Sequence, residues 1–66
     1  MILTVNGEQK EYGRISSVSG LIELLGVDKH SSAVEINGRI LKQEEWPEAV
    51  LNDGDKIEII TFVGGG

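Results

Sequence analysis

Met1, Leu3 and Val5 alternate with Ile2, Thr4 and Asn6 at the start of the chain, and this period of two predicts a strand with one apolar face. Asn6-Gly7 follows, the residue pair favoured by a tight hairpin turn in which both positions need positive φ. A return strand through about Gln9 to Tyr12, ending near Gly13, would complete an opening β-hairpin. From Ser16 the period changes. Val18, Leu21, Ile22 and Leu25 fall at i, i+3, i+4 and i+7, the apolar stripe of one short helix. Ser16 or Ser17 can cap its start and Gly26 suits the left-handed position that ends it.

Ala33 to Ile36 and Arg39 to Leu41 flank a second Asn-Gly pair, Asn37-Gly38, which predicts a second hairpin. Between Lys42 and Leu51 the pattern is irregular, and Trp46-Pro47 disfavours a continuous helix because the residue before proline avoids the helical region. A turn of helix and a loop are expected there. Asn52-Asp53-Gly54-Asp55 is a turn sequence, and Lys56 to Val63, rich in β-branched residues, is the clearest strand in the chain. Three glycines, Gly64, Gly65 and Gly66, come directly after it.

One helix between two hairpin-like pairs predicts an α+β domain in which a mixed sheet of about four to five strands packs on that helix. If the last strand lies beside the first, the pair is parallel and central, the β-grasp arrangement of ubiquitin-like proteins. The expected organisation is a β-grasp domain over residues 1–63 and a flexible glycine tail over 64–66.

Composition narrows the function. Sixty-six residues suffice for one modest core. The absence of cysteine excludes disulfides, thiolate metal sites and a thiol nucleophile. Eleven acidic residues against six basic ones, a formal charge of -5, would repel a phosphate backbone, so nucleic acid is not an expected partner. The N-terminal stretch lacks the basic region and apolar length of a signal peptide or membrane span, and the chain reads as a soluble cytoplasmic domain with no membrane partner. One histidine, His30, and scattered serines do not assemble a nucleophile, base and orienting group, so an independent enzyme is not expected. Glu44, Glu45, Glu48, Asp53 and Asp55 read as a solvated acidic rim rather than a metal cluster, because no full calcium-loop spacing follows Asp53. Trp46 reads as a cover over one end of the core.

The whole chain resembles the ubiquitin-like sulfur carriers, most closely the ThiS type of the thiazole branch of thiamine biosynthesis. The resemblance is carried by the opening "MILTVNG", "VSGLIELL" as the helix, "AVEINGRIL" as the middle hairpin, the tryptophan of "INGRILKQEEW", "LNDGDKIEII" and the glycine end. The small subunit of molybdopterin synthase shares the fold and tail but is usually longer. One departure stands out: many family members carry a basic residue just before the acidic position that precedes this tryptophan, and here Gln43 stands there with Lys42 beside it.

The resemblance implies that the Gly66 carboxylate is adenylated by an E1-like enzyme of the ThiF type, converted to a thiocarboxylate with sulfur from a donor such as a cysteine desulfurase, and delivered to a thiazole synthase of the ThiG type. ATP and magnesium would belong to the activating partner, and no cofactor or metal would be bound by the carrier. Gly65 and Gly64 would thread the carboxylate into the partner's channel, since a glycine backbone passes where a β-carbon would obstruct. Independently of the resemblance, if Ile57 and Ile59 face the core with Val34 and Ile36, period two sends Glu58, Ile60 and Phe62 to the other face, with Ile2, Thr4 and Asn6 outward on the first strand. Ile2, Ile60 and Phe62, with Val63, are therefore the expected docking surface beside the tail. Two alternatives stand beside this reading: a sulfur carrier like the small subunit of molybdopterin synthase, which sends the sulfur to molybdopterin or another acceptor, and a β-grasp module that binds partners without covalent modification.

Overall fold

The computed structural model describes residues 1–62. Its elements in chain order are β1 (Ile2–Val5), β2 (Glu8–Glu11), α1 (Val18–Leu25), a 3₁₀ turn at Lys29–Ser31, β3 (Ser32–Ile36), β4 (Arg39–Leu41), a second 3₁₀ turn at Gln43–Glu45, and β5 (Lys56–Thr61). The five strands form one mixed sheet in the order β2-β1-β5-β3-β4. The last strand sits between the first and the third, parallel to β1 and antiparallel to β3. This is the β-grasp arrangement, with α1 covering one face.

Both hairpins turn where the sequence requires it. Asn6 and Asn37 each adopt φ of 50°, and the glycines after them lie at 82° and 87°, backbone that side chains other than Asn and Gly adopt at a cost. In β1 and β5 the alternation is real: Leu3 and Ile57 are fully buried and Val5 nearly so, together with Val34 of β3 and Leu41 of β4. From the helix, Val18, Leu21 and Ile22 meet them. Each such side chain contributes about 1.5–3 kcal/mol through burial. Leu25, the expected fourth member of the helical stripe, is the last residue of the helix and is 40% exposed instead.

The ends of α1 are satisfied from two sources. Ser17 caps the N-terminus, its hydroxyl accepting from Gly20 N at 3.1 Å. Two further free donors, Val18 N and Ser19 N, reach the carbonyls of Ala49 (2.9 Å) and Trp46 (3.1 Å). The irregular segment after the second 3₁₀ turn is therefore the acceptor surface for the helix start, and Trp46 is buried beneath it. At the other end Gly26 is left-handed at φ 69°, and Val27 N bonds back to Ile22 O at 3.3 Å.

No helix among the described residues is long and apolar enough to cross a membrane. Val63, expected as the end of the last strand, and Gly64, Gly65 and Gly66 lie outside the described residues, as does the expected boundary between domain and tail.

Candidate functional site: the outer face of β5

With Ile57 and Val34 buried, the neighbours Glu58 and Glu35 turn to the face away from α1, and the register places them directly opposite each other. Two residues further toward the chain end, Ile60 pairs with Ala33 on the same face. Ile60 is 53% exposed and Phe62 61% exposed. Phe62 N still donates to Ser31 O, at 2.7 Å, so the ladder with β3 runs beyond the last residue of β5. Two exposed apolar side chains thus occupy the segment that leads directly to the glycines.

Ile2 does not join them. Thr4 pairs with Lys56 in the parallel ladder, so Ile2 lies two steps before that level and Ile60 four steps after it. Six strand steps separate them by about 20 Å. Ile2 sits instead beside the Asn52–Asp55 turn, its N–H donating to Asp53 Oδ1 at 2.6 Å and its carbonyl accepting from Gly54 N at 2.7 Å. The expected single patch of Ile2, Ile60 and Phe62 is corrected to Ile60 and Phe62, because a parallel strand pair runs both chains in the same direction and carries the start of β1 away from the end of β5. Ile40 is an addition. It stands opposite Glu35 on the outer face of β4 and is 71% exposed. The alternation of Arg39-Ile40-Leu41, with Leu41 inward, was the available signal.

The acidic residues divide by role. Asp55 Oδ2 accepts from Asn52 N at 2.7 Å, and its Oδ1 accepts from Asn37 Nδ2 at 2.9 Å. Asp53 and Asp55 are thus turn-forming acceptors rather than free rim charges. Glu44 and Glu48 are exposed as expected, and no group of three metal-ligating side chains gathers among the described residues. Glu45 accepts from Lys42 N at 3.0 Å and lies 3.5 Å from the Arg39 guanidinium. The backbone hydrogen bond from Lys42, helped by the charge of Arg39, holds its carboxyl below the usual range. His30 is exposed, in a 3₁₀ turn capped by Asp28, whose Oδ1 accepts from His30 N at 3.0 Å. Gln43 donates from its side-chain amide to Lys29 O and ties the two 3₁₀ turns together.

The ThiS family matches residues 3–66, from the first strand through the last glycine. The chain belongs to the ThiS family. Its fold agrees in detail with a crystal structure of the thiamine biosynthesis protein ThiS from Geobacter metallireducens, with a TM-score of 0.83, 36% identity and full coverage of both chains. The sulfur carrier protein ThiS of Bacillus subtilis is 32% identical over 66 residues, covering 98% of this chain and 100% of that protein. A thiazole synthase from Paramagnetospirillum magneticum is 41% identical over the whole of this chain. This ThiS-family chain spans only 20% of that thiazole synthase, so the similarity is to one ThiS-like portion of a much longer protein.

Proposed function

We propose that this chain is a sulfur carrier for thiazole formation, its Gly66 carboxylate being the group that is activated and sulfurated. The observation that carries the reading is the course of β5. The central strand of the sheet, held between β1 and β3, leads through exposed Ile60 and Phe62 straight into Val63-Gly64-Gly65-Gly66.

A carboxylate resists nucleophiles because its charge and resonance oppose attack. Its oxygen must first attack the α-phosphorus of ATP, releasing pyrophosphate and leaving an acyl-adenylate. A sulfur nucleophile then adds at the acyl carbon and AMP departs; where that nucleophile is a donor persulfide, a second thiol from a partner protein cleaves the resulting acyl disulfide, forming a disulfide with the donor cysteine and releasing the thiocarboxylate. This chain has no cysteine, so the sulfur comes from another protein. The ATP, the magnesium and the groups that stabilise the transferring phosphoryl belong to an E1-like activating enzyme of the ThiF type, with a cysteine desulfurase as sulfur source. The ThiS-like portion of a thiazole synthase supports a synthase of the ThiG type as acceptor, since joining two partners in one chain raises their effective concentration. The carrier is a cosubstrate rather than an enzyme.

The docking surface on this reading is Ile60 and Phe62, with Ile40 at its margin and the Glu35–Glu58 pair between. A complementary partner offers an apolar pocket flanked by basic side chains. Val63 is the link from this surface to the threading glycines.

Intact mass spectrometry after incubation with ATP, activating enzyme and sulfur donor tests the reading. Replacement of one oxygen by sulfur at Gly66 is expected. No mass change with an enzyme active on another carrier would sink it and favour a non-covalent binding module. Adding one residue after Gly66 should abolish the change and leave the fold intact. A mass change with a molybdopterin-type activating enzyme alone would redirect the sulfur to that acceptor.

A further inference from the structure

β5 outruns its parallel neighbour. β1 ends at Val5, opposite Ile57, and Asn6 N makes the last main-chain bond of that ladder, to Ile57 O at 2.9 Å. On β5 the amides of odd-numbered residues face β1, as the antiparallel pairing with β3 assigns the even-numbered ones to the other side. Ile59 N–H therefore points toward β1 where β1 has already turned away. The side chain of Asn6 fills that position, its Oδ1 accepting from Ile59 N at 2.7 Å. Thr61, the next residue whose amide faces that side, has no β1 residue opposite it.

The same device occurs at the other end of the strand. Asn37 Oδ1 accepts from Lys56 N at 3.0 Å. Each hairpin thus uses an asparagine twice, once for its positive φ and once to hold an amide of β5. The two differ in consequence. Asn37 secures the start of the strand, beside the Asn52–Asp55 turn, whereas Asn6 secures its exit, three residues before Phe62.

We propose that Asn6 is a positioning residue for activation of the carrier, its side-chain carbonyl fixing the exit of β5 so that Ile60 and Phe62 are presented in the arrangement the activating enzyme accepts. The role rests on the sulfur-carrier reading above. A strand end ordered in advance loses less freedom on docking, so the benefit falls on association with the partner rather than on the chemical step. Loss of the bond raises the KM for the carrier roughly two- to tenfold, the equivalent of one hydrogen bond, with kcat unchanged.

Three variants test this. Asn6→Gly keeps the left-handed backbone and removes the acceptor; Asn6→Asp keeps both; Asn37→Gly removes the equivalent acceptor at the far end of β5. Amide exchange at Ile59 and ATP-dependent adenylation kinetics are read well below the melting temperature of every variant. Expected are faster exchange at Ile59 and a raised KM in Asn6→Gly, both restored in Asn6→Asp, and an unchanged KM in Asn37→Gly despite its lower stability. Normal activation of the wild-type chain with an unchanged KM in Asn6→Gly overturns the role of Asn6. An equal rise in KM in Asn37→Gly also overturns it, by reducing the effect to general stability. Absence of adenylation of the wild-type chain overturns the carrier reading itself, and the activation role of Asn6 with it.

Discussion

Glu35 and Glu58 stand directly opposite each other on adjacent strands, both on the face of the sheet that α1 leaves open. Like charges in this relation oppose pairing by roughly 0.2–1 kcal/mol, and among the described residues no basic side chain is paired with either across the sheet. Glu58→Gln is expected to raise stability within that range at low ionic strength, with the gain shrinking as salt screens the repulsion. Urea denaturation at two salt concentrations measures it. If the pair also meets a basic partner surface, the same variant is activated less efficiently, so stability and activation move in opposite directions.

Ile60 and Phe62 lie at the tail end of β5 and Ile2 lies at the far end of the sheet, which separates two lysine substitutions. Phe62→Lys should leave the fold intact, since the side chain is largely exposed, and lower the rate of adenylation at least tenfold at limiting carrier. Ile2→Lys, at a residue 41% exposed but remote from Ile60 and Phe62, should leave activation unchanged. Equal loss in both variants would restore the single extended patch that the register argues against.

Gly20 lies in the first turn of α1 without any backbone need for glycine. A β-carbon there would meet Ser17 Oγ at 3.6 Å and Ile15 Cγ2 at 3.7 Å, ordinary contact distances. Gly20→Ala is therefore expected to stabilise the domain by up to about 1 kcal/mol, through helix propensity and a smaller loss of backbone freedom. Thermal denaturation followed by the fluorescence of Trp46, which is the only tryptophan and is buried, gives the readout.

Glu45 titrates below its usual range in the folded chain because Lys42 N–H donates to its carboxylate and Arg39 lies beside it. A carboxyl with a depressed folded pKa contributes stability above its unfolded value, roughly pH 4.3, and that contribution is lost as pH falls through the folded pKa. Glu45→Gln should accordingly be less stable than the wild type at pH 7 and converge with it in the acid limb. Denaturation midpoints of the two proteins between pH 7 and pH 2.5 test the sign. The effect is small, as Glu45 is solvent-accessible and its ion pair exposed.

Much of the fold was legible because its signals are local. The alternation in β1 and β5, the stripe of Val18, Leu21 and Ile22, the cap at Ser17, the left-handed Gly26 and the two Asn-Gly turns each depend on a few neighbouring residues. Trp46-Pro47 was legible only as an interruption. That its segment supplies acceptors to the start of α1, through the carbonyls of Trp46 and Ala49, needed the tertiary structure, because main-chain carbonyls carry no sequence signature.

For the candidate site the division is similar. By itself the sequence determined that Ile60 and Phe62 face away from Ile57 and that glycines follow them, since side-chain alternation is a property of any strand. Only the tertiary structure decided which distant residues share that face. Register detached Ile2 from the site and brought Glu35 to Glu58 and Ala33 to Ile60. It also gave Asn6 and Asn37 their second function, because an amide of β5 is left without a main-chain partner only after the strands have been aligned. Turn preference is written in adjacent residues, whereas pairing across the sheet is settled by the burial that the assembled strands achieve together.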